Sequence, residues 1–329
     1  MKNILITGAT GFIGTNLCLK LFSDFKFTNQ ENLKIYAIDN HVSSDAKNLK
    51  VIKNFLNFKK ISEKNFVFYY HDICQTLDFL PIDKIDVIYN LACPASPPRY
   101  QKDPIFTFKT SIWGVDNLAQ LALRHKARLI HTSTSEVYGD ALVHPQHEDY
   151  FGNVNTVGAR SCYDEGKRAS ETLIYGYIKT RNLNAKIVRI FNTFGPYMDK
   201  NDGRVVSNFI NQALKNQDIT IYGTGKQTRS FCYIDDLLDI LVKIANSQDD
   251  FYGPINIGNP NEFSVEKIAK IIIELTKSSS QIVNCPPPQD DPKQRQPDIN
   301  LAQNKYKFKP QISLEDGLKK TIEYFVQKQ

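Results

Sequence analysis

The sequence predicts an α/β protein: a doubly wound parallel sheet with a smaller, interleaved α/β substrate domain. Three observations carry this reading. Apolar, β-branched runs alternate with helix-period segments along most of the 329 residues. Segments such as Asp86-Val87-Ile88-Tyr89-Asn90-Leu91 lack polar alternation, as strands covered by helices on both faces do. The first strand also runs directly into a glycine-rich turn and then a helix.

Taken in order, strands are expected at 3–8, 34–38, 66–71, 86–91, 128–133 and 186–191. Helices are expected at about 12–24, 104–125, 163–182, 204–216, 235–246, 264–277 and 314–327. The Lys/Asn-rich stretch 45–65 reads as a surface helix and loop. The alternation holds to about residue 192, after which strands shorten and loops gain Pro and Gly, notably Gly223-Thr224-Gly225 and Pro286-Pro287-Pro288. Ile255-Asn256-Ile257-Gly258 again has the look of a buried strand, so the two parts interleave. The expected division is 1–192 with about 226–260 as one domain, and 193–225 with about 261–329 as the other.

Composition excludes several classes. With 41% hydrophobic and 23% charged residues, the chain can bury a full core and is not disordered. Its 41 Lys+Arg are interspersed with 35 Asp+Glu, so the net charge of +6 is a solvated surface and not a nucleic-acid-binding stripe. No run of about 18 apolar residues and no signal-type N-terminus is present, which leads to the expectation of a cytoplasmic protein with no membrane partner. The six cysteines are scattered without a CxxC pair, and are expected to be reduced, most of them buried as small hydrophobes. His125, His131, His144 and His147 lack metal-ligand spacing, so no metal is expected, and His41 and His71 read as packing residues.

The glycine turn is Gly8-Ala9-Thr10-Gly11-Phe12-Ile13-Gly14. At the start of a helix, unpaired N–H groups and the helix dipole favour a pyrophosphate, and missing side chains let the backbone approach it. Glycine triplets also occur in plain turns, but this one opens a helix and is followed by a strand ending in Asp39. Asp39 is placed to accept from a ribose 2′-hydroxyl and to repel a 2′-phosphate, which favours NAD over NADP. The interval to Asp39 exceeds the usual twenty or so residues, consistent with a loop inserted around 25–33.

Tyr163 and Lys167 stand four residues apart, on one face of a helix. Upstream, a strand ends in Ser133-Thr134-Ser135-Glu136-Val137-Tyr138-Gly139, which offers hydroxyls at the sheet edge that carries the glycine turn. A free tyrosine has a pKa of about 10, so only roughly one in a thousand is ionised at neutral pH. A neighbouring ammonium and a positive nicotinamide would have to supply about 3–4 kcal/mol to make it a base. Tyr163 could then take a proton from a substrate hydroxyl while Thr134 holds the same oxygen.

At this point the chain resembles the extended short-chain dehydrogenase/reductase family over nearly its whole length, and within it the branch that decarboxylates UDP-glucuronate. The likeness rests on the glycine turn and on Leu91-Ala92-Cys93-Pro94-Ala95-Ser96-Pro97-Pro98, His144-Pro145-Gln146 and Arg160-Ser161-Cys162-Tyr163-Asp164-Glu165-Gly166-Lys167-Arg168. It continues through Asp202-Gly203-Arg204-Val205-Val206-Ser207-Asn208-Phe209, Gln227-Thr228-Arg229-Ser230-Phe231, and Asp290-Asp291-Pro292 followed by Arg295, Pro297 and Asp298. The resemblance implies a Rossmann-type domain holding NAD, a nucleotide-sugar substrate, and a homodimer packed through helices near 104–125 and 163–182. It implies that UDP-glucuronate is oxidised at C4, loses carbon dioxide and is reduced again to UDP-xylose.

The same likeness implies catalytic roles for Thr134, Glu136, Tyr163, Lys167 and Arg295. It adds Asn40, Asp72, Ile73, Leu91, Ala92, Thr110, Tyr163 and Lys167 to the cofactor contacts already read at Gly8, Gly11, Phe12, Ile13, Gly14 and Asp39. For the sugar nucleotide it implies Pro94, Ala95, Ser96, Lys109, Ser135, Asn192, Arg204, Val205, Tyr222, Gln227, Arg229 and Arg295. Related dehydratases place an acid where Ser135 stands; a serine is too weak an acid for that step, which favours decarboxylation. Phe151, Thr156, Ala159 and Tyr197 depart from the family pattern, in loops around the site. A C4 epimerase, a 4,6-dehydratase and a non-catalytic NAD-bound protein remain as alternatives at this stage.

Overall fold

The computed structural model describes residues 1–24, 33–287, 292 and 294–327. The N-terminal part runs β1 (Lys2–Thr7), α1 (Phe12–Asp24), β2 (Leu33–Asp39), α2 (Lys47–Phe58), β3 (Phe66–Tyr70), β4 (Val87–Asn90), α3 (Pro97–Tyr100), α4 (Pro104–Lys109), α5 (Val115–His125), β5 (Arg128–Thr134), α6 (Ser161–Arg181) and β6 (Ala185–Ile190). There follow β7 (Thr193–Phe194), α7 (Val205–Leu214), β8 (Ile219–Tyr222), β9 (Thr228–Ser230), β10 (Cys232–Tyr233), α8 (Ile234–Asn246) and β11 (Ile255–Ile257). The chain ends with β12 (Glu262–Ser264), α9 (Val265–Thr276), β13 (Ile282–Cys285), β14 (Gln294–Arg295), α10 (Asn300–Tyr306) and α11 (Leu314–Val326).

Seven strands form one parallel sheet in the order β11-β6-β5-β4-β1-β2-β3. Alternation along β1 explains how it is buried. Ile4 and Ile6 enter one core with Leu17 of α1 and Leu237 of α8, while Leu5 enters the other with Leu118 of α5 and Ile174 of α6. The strand order reverses between β4 and β1, and the crevice outside their carboxyl ends is where ligands bind in such sheets. Three small sheets complete the fold: β10-β7, β12-β9-β14 and β13-β8. The first core is not confined to the large sheet; it continues through Phe209 of α7, Ile268 of α9 and Ile322 of α11.

Each expected strand and helix of the N-terminal part is present, with one interruption. The helix expected over 104–125 starts at Asp103, whose carboxylate accepts from Phe106 N at 2.9 Å, with Pro104 next to it. It then widens into a π turn at Thr110–Gly114. A side chain at Gly114 would collide with Ile73, so this turn is where the helix presses on the sheet-edge loop. The stretch 45–65 holds the amphipathic α2, with Ile52 and Leu56 buried, followed by a 3₁₀ turn. The loop placed around 25–33 lies, except for Leu33, outside the described residues, as do Pro288, Asp290 and Asp291.

The cysteine expectation needs correction. All six are free, but only Cys18 and Cys232 are fully buried. Cys93 and Cys162 instead flank the Tyr163 site. Among the described residues, no helix is long and apolar enough to cross a membrane.

Candidate active site

The cofactor end is built mainly from backbone. Gly8 has φ +65°, and a Cβ there would stand 2.7 Å from the carbonyl oxygen of Leu91. A Cβ on Gly14 would stand 2.1 Å from the carbonyl oxygen of Gly8. Gly11 N donates to Gly8 O at 3.1 Å, closing the turn at the N-terminus of α1. These absences of side chain leave a bare peptide surface against a cavity of about 550 Å³, which fits a dinucleotide's pyrophosphate.

Asp39 is buried at the end of β2 and accepts from Thr10 N (2.9 Å), His41 N (2.8 Å) and Ser44 Oγ (2.8 Å). Its carboxylate is thereby fixed in place at the cavity wall. The same cavity is lined by Gly8, Gly11, Phe12, Ile13, Gly14, Asn40, Asp72, Ile73, Leu91, Ala92 and Thr110, so all the expected cofactor positions other than Tyr163 and Lys167 meet there. Pro94, Ala95, Ser96 and Arg204 line it as well. Across its mouth Arg99 of α3 pairs with Asp199, and Pro98 packs on Gly203.

A second cluster, bordered by Cys93 of the cavity wall, is built from side chains. Tyr163 is buried near the start of α6, stacked on Tyr100 with ring centroids 5.1 Å apart and planes 3° from parallel. The Thr134 side chain faces its hydroxyl and favours the phenolate, against burial. Lys167 Nζ lies 6.0 Å from the Tyr163 ring centroid and donates to Thr132 O at 2.8 Å. The expected lowering of the phenol is not supplied by the chain alone. Burial pushes Tyr163 up and Lys167 down, so each is held neutral more strongly than in water.

Glu136 sits beside this pair, in the 3₁₀ turn Ser135–Tyr138 after β5. Its Oε2 accepts from Arg160 Nη2 and, at 3.0 Å, from Arg295 Nη2. Burial opposes its charge, but Arg295, Arg160 and Arg229 outweigh that and hold the carboxyl down at about 2. Arg295 is 1% exposed, lies on β14, and also donates to Ser135 O at 2.9 Å. Arg229, one strand over on β9, donates to Thr228 O and Pro292 O.

The remaining sugar-nucleotide candidates fall in different places. Gln227 Nε2 donates to the carbonyl of Tyr222 at 2.6 Å, joining those two at the rim, with the Tyr222 ring half exposed. Val205 opens α7 and packs partly on the core, and Arg204 before it is paired with Asp202. Asn192 follows β6, its carbonyl accepting from Cys232 N at 2.9 Å. Lys109 is exposed on α4, with Nζ 4.7 Å from the Trp113 ring centroid, in a surface groove with Ile105 and Phe108. The helical period explains this, since Phe106 and Thr110 take the cavity side and Lys109 faces away.

Three residues of this end were not anticipated: Tyr100, Arg160 and Asp164. The signal for Arg160 and Asp164 was present as an i,i+4 charge pair around Tyr163. Tyr100, buried under the tyrosine ring, left no local trace. His131, by contrast, is a buried structural residue between Asn90 (3.2 Å) and Ser170 (3.0 Å).

Residues 4–258 match the NAD dependent epimerase/dehydratase family. The chain is 45% identical over 324 residues to UDP-glucuronic acid decarboxylase 1 of Danio rerio, covering 98% of this chain and 72% of that protein. It is 46% identical over 315 residues to UDP-glucuronic acid decarboxylase 6 of Arabidopsis thaliana, covering 96% and 86%. Among solved structures, UDP-glucuronic acid 4-epimerase of Bacillus cereus, in complex with UDP-glucuronic acid and NAD, superposes with a TM-score of 0.86 at 27% identity over 99% of this chain and 100% of that one.

Proposed function

Since the chain belongs to the NAD dependent epimerase/dehydratase family, we propose that it decarboxylates UDP-glucuronate to UDP-xylose through a 4-keto intermediate. The observation that carries this reading is the placement of Glu136, held between two guanidiniums, next to the Tyr163–Thr134 pair.

Tyr163 takes the proton of the C4 hydroxyl, and Thr134 keeps that oxygen within reach. Gly8, Gly11, Gly14 and Asp39 would hold NAD, which would supply a reversible hydride acceptor for C4 and a positive charge beside the tyrosine. Lys167, tied to Thr132 O, keeps its Nζ 6.0 Å from the Tyr163 ring centroid, where its protonated form stabilises the phenolate. The C4 ketone is β to the carboxylate on C5, so the C5–carboxylate bond can break with its electron pair passing into the ketone as an enolate. Arg295, or a water it orders, returns a proton to C5, while Glu136 sets the geometry of the sugar. Ser135 cannot protonate a leaving hydroxyl, which supports loss of carbon dioxide over loss of water. Tyr222, Gln227, Arg229 and Arg204 hold the nucleotide and diphosphate, with Asn192, Val205 and the Pro94-Ala95-Ser96 turn around the sugar.

In this reading residues 1–192 with about 226–260 form the NAD-binding unit, and 193–225 with about 261–329 the sugar-nucleotide unit. A homodimer forms across the groove of α4 to α6, where Ile105, Phe108 and Trp113 are exposed. The test is incubation of the protein with UDP-glucuronate, with and without added NAD, followed by carbon dioxide release and proton NMR of the sugar. UDP-xylose without net NADH is expected. Inversion at C4 with the carboxylate retained overturns the reading.

A further inference from the structure

The reacting end of the site holds a carboxyl group that the mechanism above does not use. Asp164 lies on α6 directly after Tyr163 and is 5% exposed. Its Oδ2 is 3.6 Å from Arg160 Nε, and its Oδ1 is buried with no hydrogen-bond partner. Arg295 Nε, in the same cluster, is also buried without a partner. Buried polar atoms are nearly always satisfied, so two such atoms beside the reacting residues call for an explanation.

The groups facing Asp164 are Arg160 just before α6, Cys162 and Tyr163 on α6, Glu136 in the 3₁₀ turn, Arg295 on β14 and Tyr100 on α3. Two guanidiniums therefore face one fully ionised carboxylate, Glu136, and a second carboxyl whose charge is contested. Arg160 is shared between the two acids, at Glu136 Oε2 and Asp164 Oδ2.

We propose that Asp164 is a positioning residue that sets, by gaining or losing its proton, whether Arg160 serves Glu136 alone and how much net positive charge the buried cluster turns toward the substrate's sugar carboxylate. The inference rests on the function proposed above. With Asp164 neutral, Arg160, Arg229 and Arg295 exceed Glu136 by two charges and draw an incoming carboxylate in. With Asp164 ionised the excess falls to one and that carboxylate is held less tightly. Burial, then the charge of Glu136, push Asp164 up to about 7 against Arg160 and Arg295, so the change falls in the working range.

The test compares wild type with Asp164→Asn and Asp164→Ala, in the NAD-loaded protein, from pH 6 to 8.5. In wild type the Kd and KM for UDP-glucuronate should rise about tenfold over that range, with a midpoint near 7, while the Kd for UDP-glucose, which lacks the carboxylate, stays flat. Either variant should abolish the rise, so that UDP-glucuronate binds more tightly than to wild type at pH 8.5. A wild-type midpoint retained in a folded variant, or the same rise with UDP-glucose, overturns the inference and leaves the function standing. No binding of UDP-glucuronate by wild type at any pH overturns both.

Discussion

The two parts of the candidate site are made in different ways. At the cofactor end the surface is peptide backbone, laid bare by Gly8, Gly11 and Gly14 within one turn of chain, with one carboxylate, Asp39, locked by Thr10 N, His41 N and Ser44 Oγ. At the reacting end Thr134, Glu136, Arg160, Tyr163 and Arg295 come from β5, the turn after it, α6 and β14, with up to 160 residues between partners. The first end depends on what is missing from a local stretch. The second depends on charges that only the folded chain brings together, and each is held against the cost of its burial.

Tyr163→Phe should break the second end most cleanly. It removes one hydroxyl and no charge, so kcat should fall by about 10³-fold or more, while NAD affinity measured by fluorescence titration stays within about threefold. Retained turnover would remove Tyr163 as the base. Arg295→Ala should follow, with roughly a hundredfold loss of carbon dioxide release and about 3 kcal/mol of stability, because Glu136 keeps only Arg160 and Arg229 against its burial. The pH dependence fixes the sign. A carboxyl depressed on folding stabilises the protein above its unfolded pKa of about 4.3 and loses that contribution as pH falls toward about 2. In the variant the Glu136 carboxyl is less depressed and this contribution shrinks, so the stability gap between wild type and variant should close as pH falls from about 4.3 toward about 2 in thermal melts.

At the cofactor end, Asp39→Ala should weaken NAD by about tenfold and narrow its advantage over NADP, with kcat at saturating NAD little changed. An unchanged preference would take Asp39 out of cofactor selection. The smallest effect is expected of Lys109→Ala, whose ammonium rests on Trp113 outside the cavity. Its KM for UDP-glucuronate should move by less than about twofold; a large rise would return Lys109 to the sugar pocket.

The contrast also accounts for how much could be read before folding. The glycine turn, Asp39, and the Tyr163–Lys167 spacing are short-range patterns, and all reappear where periodicity and turn chemistry place them. The parallel sheet is equally legible, because strands covered on both faces have an unmistakable composition. The face on which Lys109 stands is not legible, because a resemblance fixes a position in the chain and not the face of a helix. Tyr100 and Asp164 were missed because their importance lies in stacking and in a contested proton, which no local pattern records. The short strands β7 to β10 and β12 to β14 gave too little periodicity to be seen, and their pairing is decided by tertiary packing.

The core that joins Ile4 and Leu17 to Phe209 and Ile322 has a further consequence for how the molecule responds to its ligands. Apolar surface buried without a seam leaves no plane along which the two halves can melt separately, so heat should take them apart in one cooperative transition. Saturating either end with its ligand then raises a single melting temperature for the whole chain, by mass action on the folded state.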